Sequence, residues 1–403
     1  MTEVLVFVLA GGKGERLYPL TKDRAKPAVP FGGNYRIIDF PLSNCINSGL
    51  RQLFVLTQYK SISLDRHVRM GWSILSPELG EYITILPAQQ RVSDDWYRGT
   101  ADAVFQNIYT LERERSKYVL ILAGDHIYKM DYRPMIEFHA AKDAEVTVAV
   151  LDVPVSEAKR FGVVELDSGN RIVSFEEKPD LPKALVGAPS RAMVSMGIYV
   201  FKTENLVREV ITDAKMEDSS HDFGRDILPR LVREGKAVYG YPFQDWQKGE
   251  TRYWRDVGTL EAYYDASMDL VSVTPQLDLY EPTWPIWSYQ APLPPAKTVF
   301  RDPGRCGQVL DSLLCDGSIV SGSQVVHSII ASRVFLHSYS RIEDSIIMEG
   351  VEVGREVKIR RTIIDKHVKI PKGFRLGYDL EEDRKRFTVT DTGIVVVPQR
   401  IPI

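Results

Sequence analysis

The sequence predicts an α/β protein: a doubly wound, mainly parallel, Rossmann-like sheet over residues 1–272, then a parallel β-helix over residues 299–403. Three observations predict it. Apolar strands alternate with helical stretches up to about residue 270, as expected of a sheet covered by helices on both faces. A proline-rich connection follows at 273–298, with six prolines between Val273 and Ala296. Beyond it an aliphatic pattern recurs every 17 residues.

The elements follow in chain order. "EVLVFVLA" (Glu3–Ala10) is a nearly unbroken apolar run, which suits a strand buried on both faces. It breaks into a loop with Gly11, Gly12 and Gly14, accompanied by Lys13, Arg16, Lys22, Arg24 and Lys26. Backbone N–H groups beside cations suit a phosphate, although a tight turn also uses glycine. The loop is not a P-loop, because Glu15 and Arg16 follow Gly14, and the dinucleotide fingerprint fails because Leu17 stands at its third glycine. "LFVLTQ" (Leu53–Gln58), "KYVLILAGD" (Lys117–Asp125) and "AEVTVAVL" (Ala144–Leu151) read as further strands. Between them "GTADAVFQNIYTLERERS" has apolar residues at helical spacing. Ligands of such sheets bind at the carboxyl ends of strands, where the glycine loop and Asp125 fall.

In the second half "HSIIASRV" (His327–Val334), "DSIIMEGV" (Asp344–Val351) and "RTIIDKHV" (Arg361–Val368) share one pattern, with "DSLLCDGSI" from Asp311 as an imperfect earlier copy. Ile347, Val353 and Ile359 are six apart, as are Val351, Val357 and Ile363. Six-residue spacing with three strands per coil describes a β-helix of triangular section, the alternative being an antiparallel sandwich of short strands. A single coil cannot bury its apolar face, so coils must stack.

Composition narrows the function. The 403 residues carry a net charge of −3, with 44% apolar and 26% charged residues, which argues against a broad nucleic-acid surface. Cys45, Cys306 and Cys315 form no CxxC pair, so neither a disulfide nor zinc is expected. The first strand is too short for a signal sequence or a membrane span. A cytoplasmic protein without a membrane partner is expected.

"GGKGERLYPLTKDRAKP" matches the signature loop of sugar-1-phosphate nucleotidyltransferases, a GGxGxRL core followed by Lys26-Pro27. With "RAKPAVPFGGNYRIIDFPLSNCINS", "WYRGTADAVFQN", "AGDHIYKMDY", "FEEKP", "SMGIYVF" and "YWRDVGTLEAYYDA", the whole chain resembles the ADP-glucose pyrophosphorylase (glucose-1-phosphate adenylyltransferase) family of bacterial glycogen synthesis. The resemblance implies a nucleotidyltransferase domain followed by a left-handed β-helix. It implies the reaction of ATP with α-D-glucose 1-phosphate to give ADP-glucose and diphosphate, with Mg²⁺. Two polyanions must meet, so positioning and charge neutralisation would carry the catalysis.

The resemblance assigns the metal to Asp125 and Asp256, whose plain alternative is helix capping. Asp125 ends a buried strand, where a carboxylate is costly unless it meets a cation. Arg16 and Lys26 should hold the ATP phosphates, with Gly11, Gly12, Gly14 and Gln58 also at the nucleotide. Tyr97, Gly162, Glu177, Lys178 and Ser195 match the sugar-phosphate positions, although "EEKP" alone also reads as a surface turn. Asp39 and Asn44 lie in a strongly matching stretch without a definite role.

Gln58 and Trp96 match positions that relay activation. Family members are typically homotetramers whose small-molecule effectors bind between the two domains, in a pocket lined with Lys and Arg. Arg24, Arg36, Arg305, Arg384 and Arg386 are candidates here, each equally readable as plain surface charge. Asp23 stands where several relatives have a basic residue, so the activator is open. Competing readings are another nucleotidyltransferase, a non-catalytic regulatory subunit, and an acyltransferase using His327, His337 or His367.

Overall fold

The computed structural model describes residues 3–88, 96–245 and 250–401. Its first half is built on a nine-stranded sheet. The strands are β1 (Val4–Leu9), β2 (Gln52–Thr57), β3 (Tyr82–Pro87), β4 (Tyr118–Ala123), β5 (Val146–Pro154), β6 (Gly162–Leu166), β7 (Ile172–Glu177), β8 (Arg191–Lys202) and β9 (Val238–Pro242). β3, β2, β1 and β4 run parallel side by side. β8 then lies antiparallel to β4 and to β5, and β5 is parallel to β9. The expected sheet is present, and it is mixed: the long strand β8 joins its two halves.

The unbroken apolar run of β1 has a direct cause. Val4, Val6 and Val8 face one core with Leu53, Val55, Leu120, Leu42 and Trp72. Leu5 and Phe7 face a second with Phe54, Leu56, Ile121, Val104 and Leu206. A strand covered on both sides has no polar face to alternate with. The helical stretch after Gly99 forms two helices, Thr100–Phe105 and Ile108–Glu114. The break falls where the Asn107 Nδ2 turns back to Ala103 O at 2.8 Å and to the Tyr97 hydroxyl at 3.0 Å.

The second half is a three-sided parallel coil. Ile329–Ile330, Ile346–Ile347 and Thr362–Ile364 stack as one wall with a step of 17 residues, and Thr362–Ile364 pairs onward with Val395–Val397. Parallel walls begin at Lys297–Val299 and Gln308–Leu310. Every corner uses left-handed backbone: Asp311, His327, Asp344 and Arg361 at one corner have φ of 45–48°, and Gly322, Tyr339, Glu356 and Gly373 hold another at 63–75°. Inside, buried serines form ladders. Ser328 Oγ accepts from Ser345 N and Ser345 Oγ from Thr362 N, both at 3.1 Å, so backbone N–H groups inside the coil are satisfied.

The halves share a core. Phe31, Phe40, Leu260, Tyr263 and Tyr264 pack with Ile329, Ile346, Ile363, Ile394 and Val396. Between Asp269 and Lys297 no helix or strand forms. This segment is instead pinned to the Asp39–Asn47 helix: Trp284 Nε1 donates to Asn44 Oδ1 at 2.9 Å, and Ser288 Oγ to Asp39 Oδ2 at 2.7 Å. Asp39 also accepts from His67 Nε2 at 2.7 Å and Trp72 Nε1 at 2.9 Å. Both residues whose role the sequence left open hold this connection in place.

Candidate active site

A cleft of about 470 Å³ opens at the carboxyl ends of β1, β2 and β4. The glycine loop forms one wall. Its three glycines have different reasons to be there. Gly14 has a φ of 64°, and a Cβ on it would lie 3.0 Å from the side chains of Lys26 and Thr21. One on Gly11 would lie 3.3 Å from Gln58 Cβ, whereas Gly12 has nothing within 4 Å and simply leaves its backbone open.

Lys26 stands at the centre. It opens the short turn Lys26–Ala28. Its Nζ donates to Asp125 Oδ2 at 2.8 Å and to Asp256 Oδ1 at 3.0 Å. Asp125 follows β4 after Gly124. Asp256 ends the strand Trp254–Asp256, which pairs antiparallel with His126–Tyr128 so that Asp256 lies opposite His126. Donor atoms of Asp125, His126 and Asp256 all lie within 4.8 Å of one another. Burial pushes the Asp125 carboxyl upward, but the Lys26 ammonium, with His126 beside it, outweighs that and holds it down to about 2. Burial likewise opposes the Lys26 ammonium, and the two aspartates raise its pKa above the ordinary lysine value. Arg16 is exposed beside this group: a Cβ on Gly258 would lie 2.9 Å from Asp256 Oδ2 and 3.1 Å from Arg16 Nη2.

At the other end Glu177 reaches the cleft from β7. It sits opposite Gly162 of β6, where a Cβ would come 2.6 Å from the Phe175 ring and 2.9 Å from Glu177 Oε2. Lys178 extends from the same edge with a φ of 50°, its Nζ 2.7 Å from Glu177 Oε1. Ser195 is buried, and its Oγ accepts from Gly197 N at 3.2 Å at the cleft edge. Tyr97 lines the cleft, and its carbonyl accepts from Gln58 Nε2 at 3.4 Å. Trp96 stacks on Tyr59 with ring centroids 5.3 Å apart, and Lys13 Nζ lies 5.3 Å from the Tyr59 ring.

The sequence reading missed Asp222 and Gly224. Asp222 accepts from Gly224 N, Arg225 N and Thr100 Oγ1, and a Cβ on Gly224 would meet Glu177 Oε2 at 2.7 Å. The local signal was an aspartate and a glycine ahead of an apolar helix start.

A second cavity of about 830 Å³ lies between the catalytic half, the connection and the β-helix. Asp23, Arg36, Arg66, Arg333, Lys366 and Arg400 are among the residues lining it. Burial, then the neighbouring Arg36, lowers the Lys366 pKa against the pull of Glu349. Of the five candidate arginines, Arg36 lines this cavity. Arg24 is buried on Asp365. Arg305, Arg384 and Arg386 do not line it: Arg305 sits 3.4 Å over the Phe300 ring, Arg384 pairs with Glu381, and Arg386 covers Phe374 and Phe387. An isolated arginine in the sequence carries no sign of which coil face it occupies. The repeat does: Ser332, Glu349 and Lys366, 17 apart, line the cavity together.

Comparison with known proteins agrees with this geometry. Residues 5–273 match the Nucleotidyl transferase family and residues 294–397 the GlmU-like, C-terminal hexapeptide family, so the class is a nucleotidyltransferase domain carrying a hexapeptide β-helix. The chain is 53% identical to the glucose-1-phosphate adenylyltransferase of Rhodopirellula baltica, over 98% of this chain and 90% of that one. It is 53% identical to that of Koribacter versatilis, covering 98% and 95%, and 50% identical to that of Methylococcus capsulatus, covering 98% and 93%. The chain belongs to the glucose-1-phosphate adenylyltransferase family.

Proposed function

We propose that the cleft joins ATP to α-D-glucose 1-phosphate, giving ADP-glucose and diphosphate for glycogen synthesis. The observation that carries the reading is the Lys26 ammonium set between two carboxylates at the foot of a glycine loop, a place where anions and cations must alternate. A phosphate oxygen of the sugar phosphate attacks the α-phosphorus in line. The α-phosphorus–oxygen bond to the leaving diphosphate breaks as the new one forms.

No nucleophilic side chain is required, since the attacking phosphate is already ionised. The loop N–H groups and Arg16 hold the nucleotide phosphates, and Lys26 adds a point charge where negative charge builds up. Lys178 receives the sugar phosphate while Glu177 accepts from sugar hydroxyls. Asp125 and Asp256 fit Mg²⁺, offering hard oxygens that already converge on one cation. When bound, the ion would supply further neutralisation of the phosphates.

The second cavity would take a phosphorylated or acidic effector, with Asp23 at its rim weakening phosphate binding. A homotetramer in the cytoplasm, as expected from the sequence, belongs to the same reading. Among the described residues no helix is long and apolar enough to cross a membrane. The test is diphosphate release from each nucleoside triphosphate with each sugar 1-phosphate. Release with ATP and glucose 1-phosphate is expected, and preference for another pair would overturn the assignment.

A further inference from the structure

We propose that Asp365, on the β-helix, is a positioning residue for Lys26 in the cleft and acts through Arg24. The inference rests on the role given to Lys26 above. Arg24 lies two residues before Lys26, on the segment that runs from the glycine loop to the turn at Lys26. Its Nη2 donates to both Asp365 oxygens at 2.9 Å, and the two side chains are 5% and 1% exposed. The far end of this tie is itself fixed. Asp365 N donates to Val397 O at 2.9 Å, and its Oδ1 accepts from Lys366 N at 2.7 Å.

On the catalytic side the segment is held by Thr21 Oγ1 on Gly14 O at 2.9 Å and by Lys60 Nζ on Thr21 O at 3.0 Å. Arg24 is therefore the buried charged link from this segment to the coil, next to an exposed bond from Gln399 Nε2 to Asp23 Oδ2 at 2.8 Å. The Arg24 Nη1 is buried without a partner among the described residues.

Stability is a poor reason for such a pair. Taking both ions out of water costs about as much as their attraction returns, and an apolar pair of similar volume is often as stable or more so. What the pair supplies is a fixed position for the backbone at 24–26, and so for an ammonium that must reach two carboxylates within 3.0 Å.

The experiment uses the full-length chain with both charges replaced, Arg24→Met together with Asp365→Leu. The expected result is a Tm at or above that of the parent and a KM for glucose 1-phosphate within about twofold, with kcat down about 10- to 100-fold, the cost of a displaced catalytic group. A purely structural pair would restore kcat along with Tm. Should the apolar pair fail to fold, Asp365→Glu keeps the charge and lengthens the tie. Its kcat should fall about tenfold with little change in Tm. Full turnover in either variant overturns the proposal. Lys26→Met is the control: if it keeps its turnover, the reading of Lys26 fails rather than that of the tie.

Discussion

Asp125 shows how one side chain can be costly to bury and still be well placed. Its carboxylate is tolerated because Lys26 lies 2.8 Å away, and removing its charge leaves that cation with Asp256 alone. Asp125→Asn is expected to lower kcat by about 1,000-fold in steady-state assays while circular dichroism stays unchanged, a loss of the size found when one preorganised electrostatic group is removed. Near-normal turnover would refute the role. His139 is a second residue with a definite forecast. Burial, helped by Lys202, lowers its pKa to about 4, and it keeps a bond to Thr147 Oγ1 at 2.9 Å. Its folded pKa lies below the unfolded one. The native state therefore keeps its full stability above pH 6.5 and loses it as pH falls from 6.5 toward 4. About 2 kcal/mol should disappear between pH 7 and 5. Urea titrations of His139→Asn should show that loss abolished, and an equal loss in both proteins would identify some other group. Asp125 and Lys26 were legible because a strand end and a basic loop are local features. Asp256 rested on family resemblance, since its strand of three residues has no periodicity to read and pairs far away in the chain.

Elements explain what single residues cannot. Glu177 can face the cleft because β7 pairs with a glycine at 162 and because the helix start at Asp222 presents Gly224, not a side chain. Gly224→Ala places a methyl 2.7 Å from the Glu177 carboxylate. The expected result is a KM for glucose 1-phosphate raised about tenfold with the KM for ATP unchanged, a small displacement being enough to cost that much. A rise confined to ATP would show that Glu177 does not serve the sugar. Such a contact spans 47 positions of sequence, and no local pattern announces it. The antiparallel course of β8 was hidden for a similar reason. Val, Ile and Phe runs look the same in either direction, and direction is set by connections. In the β-helix the reverse held: the spacing of aliphatic residues already stated the number of walls, because each wall repeats the same burial.

For the whole molecule the shared core is decisive. Tyr263 and Tyr264 pack with Ile346 and Ile363, and the Tyr264 hydroxyl donates to Asp344 O at 2.6 Å. Splitting the halves would expose the large side chains of this cluster to water, at about 1.5–3 kcal/mol for each. Calorimetry should therefore record one cooperative transition for both halves. Two resolved transitions would show that the catalytic domain stands alone. The proline-rich connection looks in the sequence like a free tether, but Trp284, Trp287 and Ser288 bind it to the Asp39–Asn47 helix. These three hydrogen bonds go to side chains far away in the sequence, a pairing that composition alone does not reveal.

The left-handed corners have a consequence for how such a chain can change length. Each corner residue recurs in phase with the wall it precedes, so deleting one residue within a coil would turn the next aliphatic side chains outward and put a bulky one where the backbone must bend. Losing or gaining an entire turn of the spiral leaves every later residue in its place. Length variation among proteins of this design should thus come in whole rungs, with smaller insertions confined to the bends.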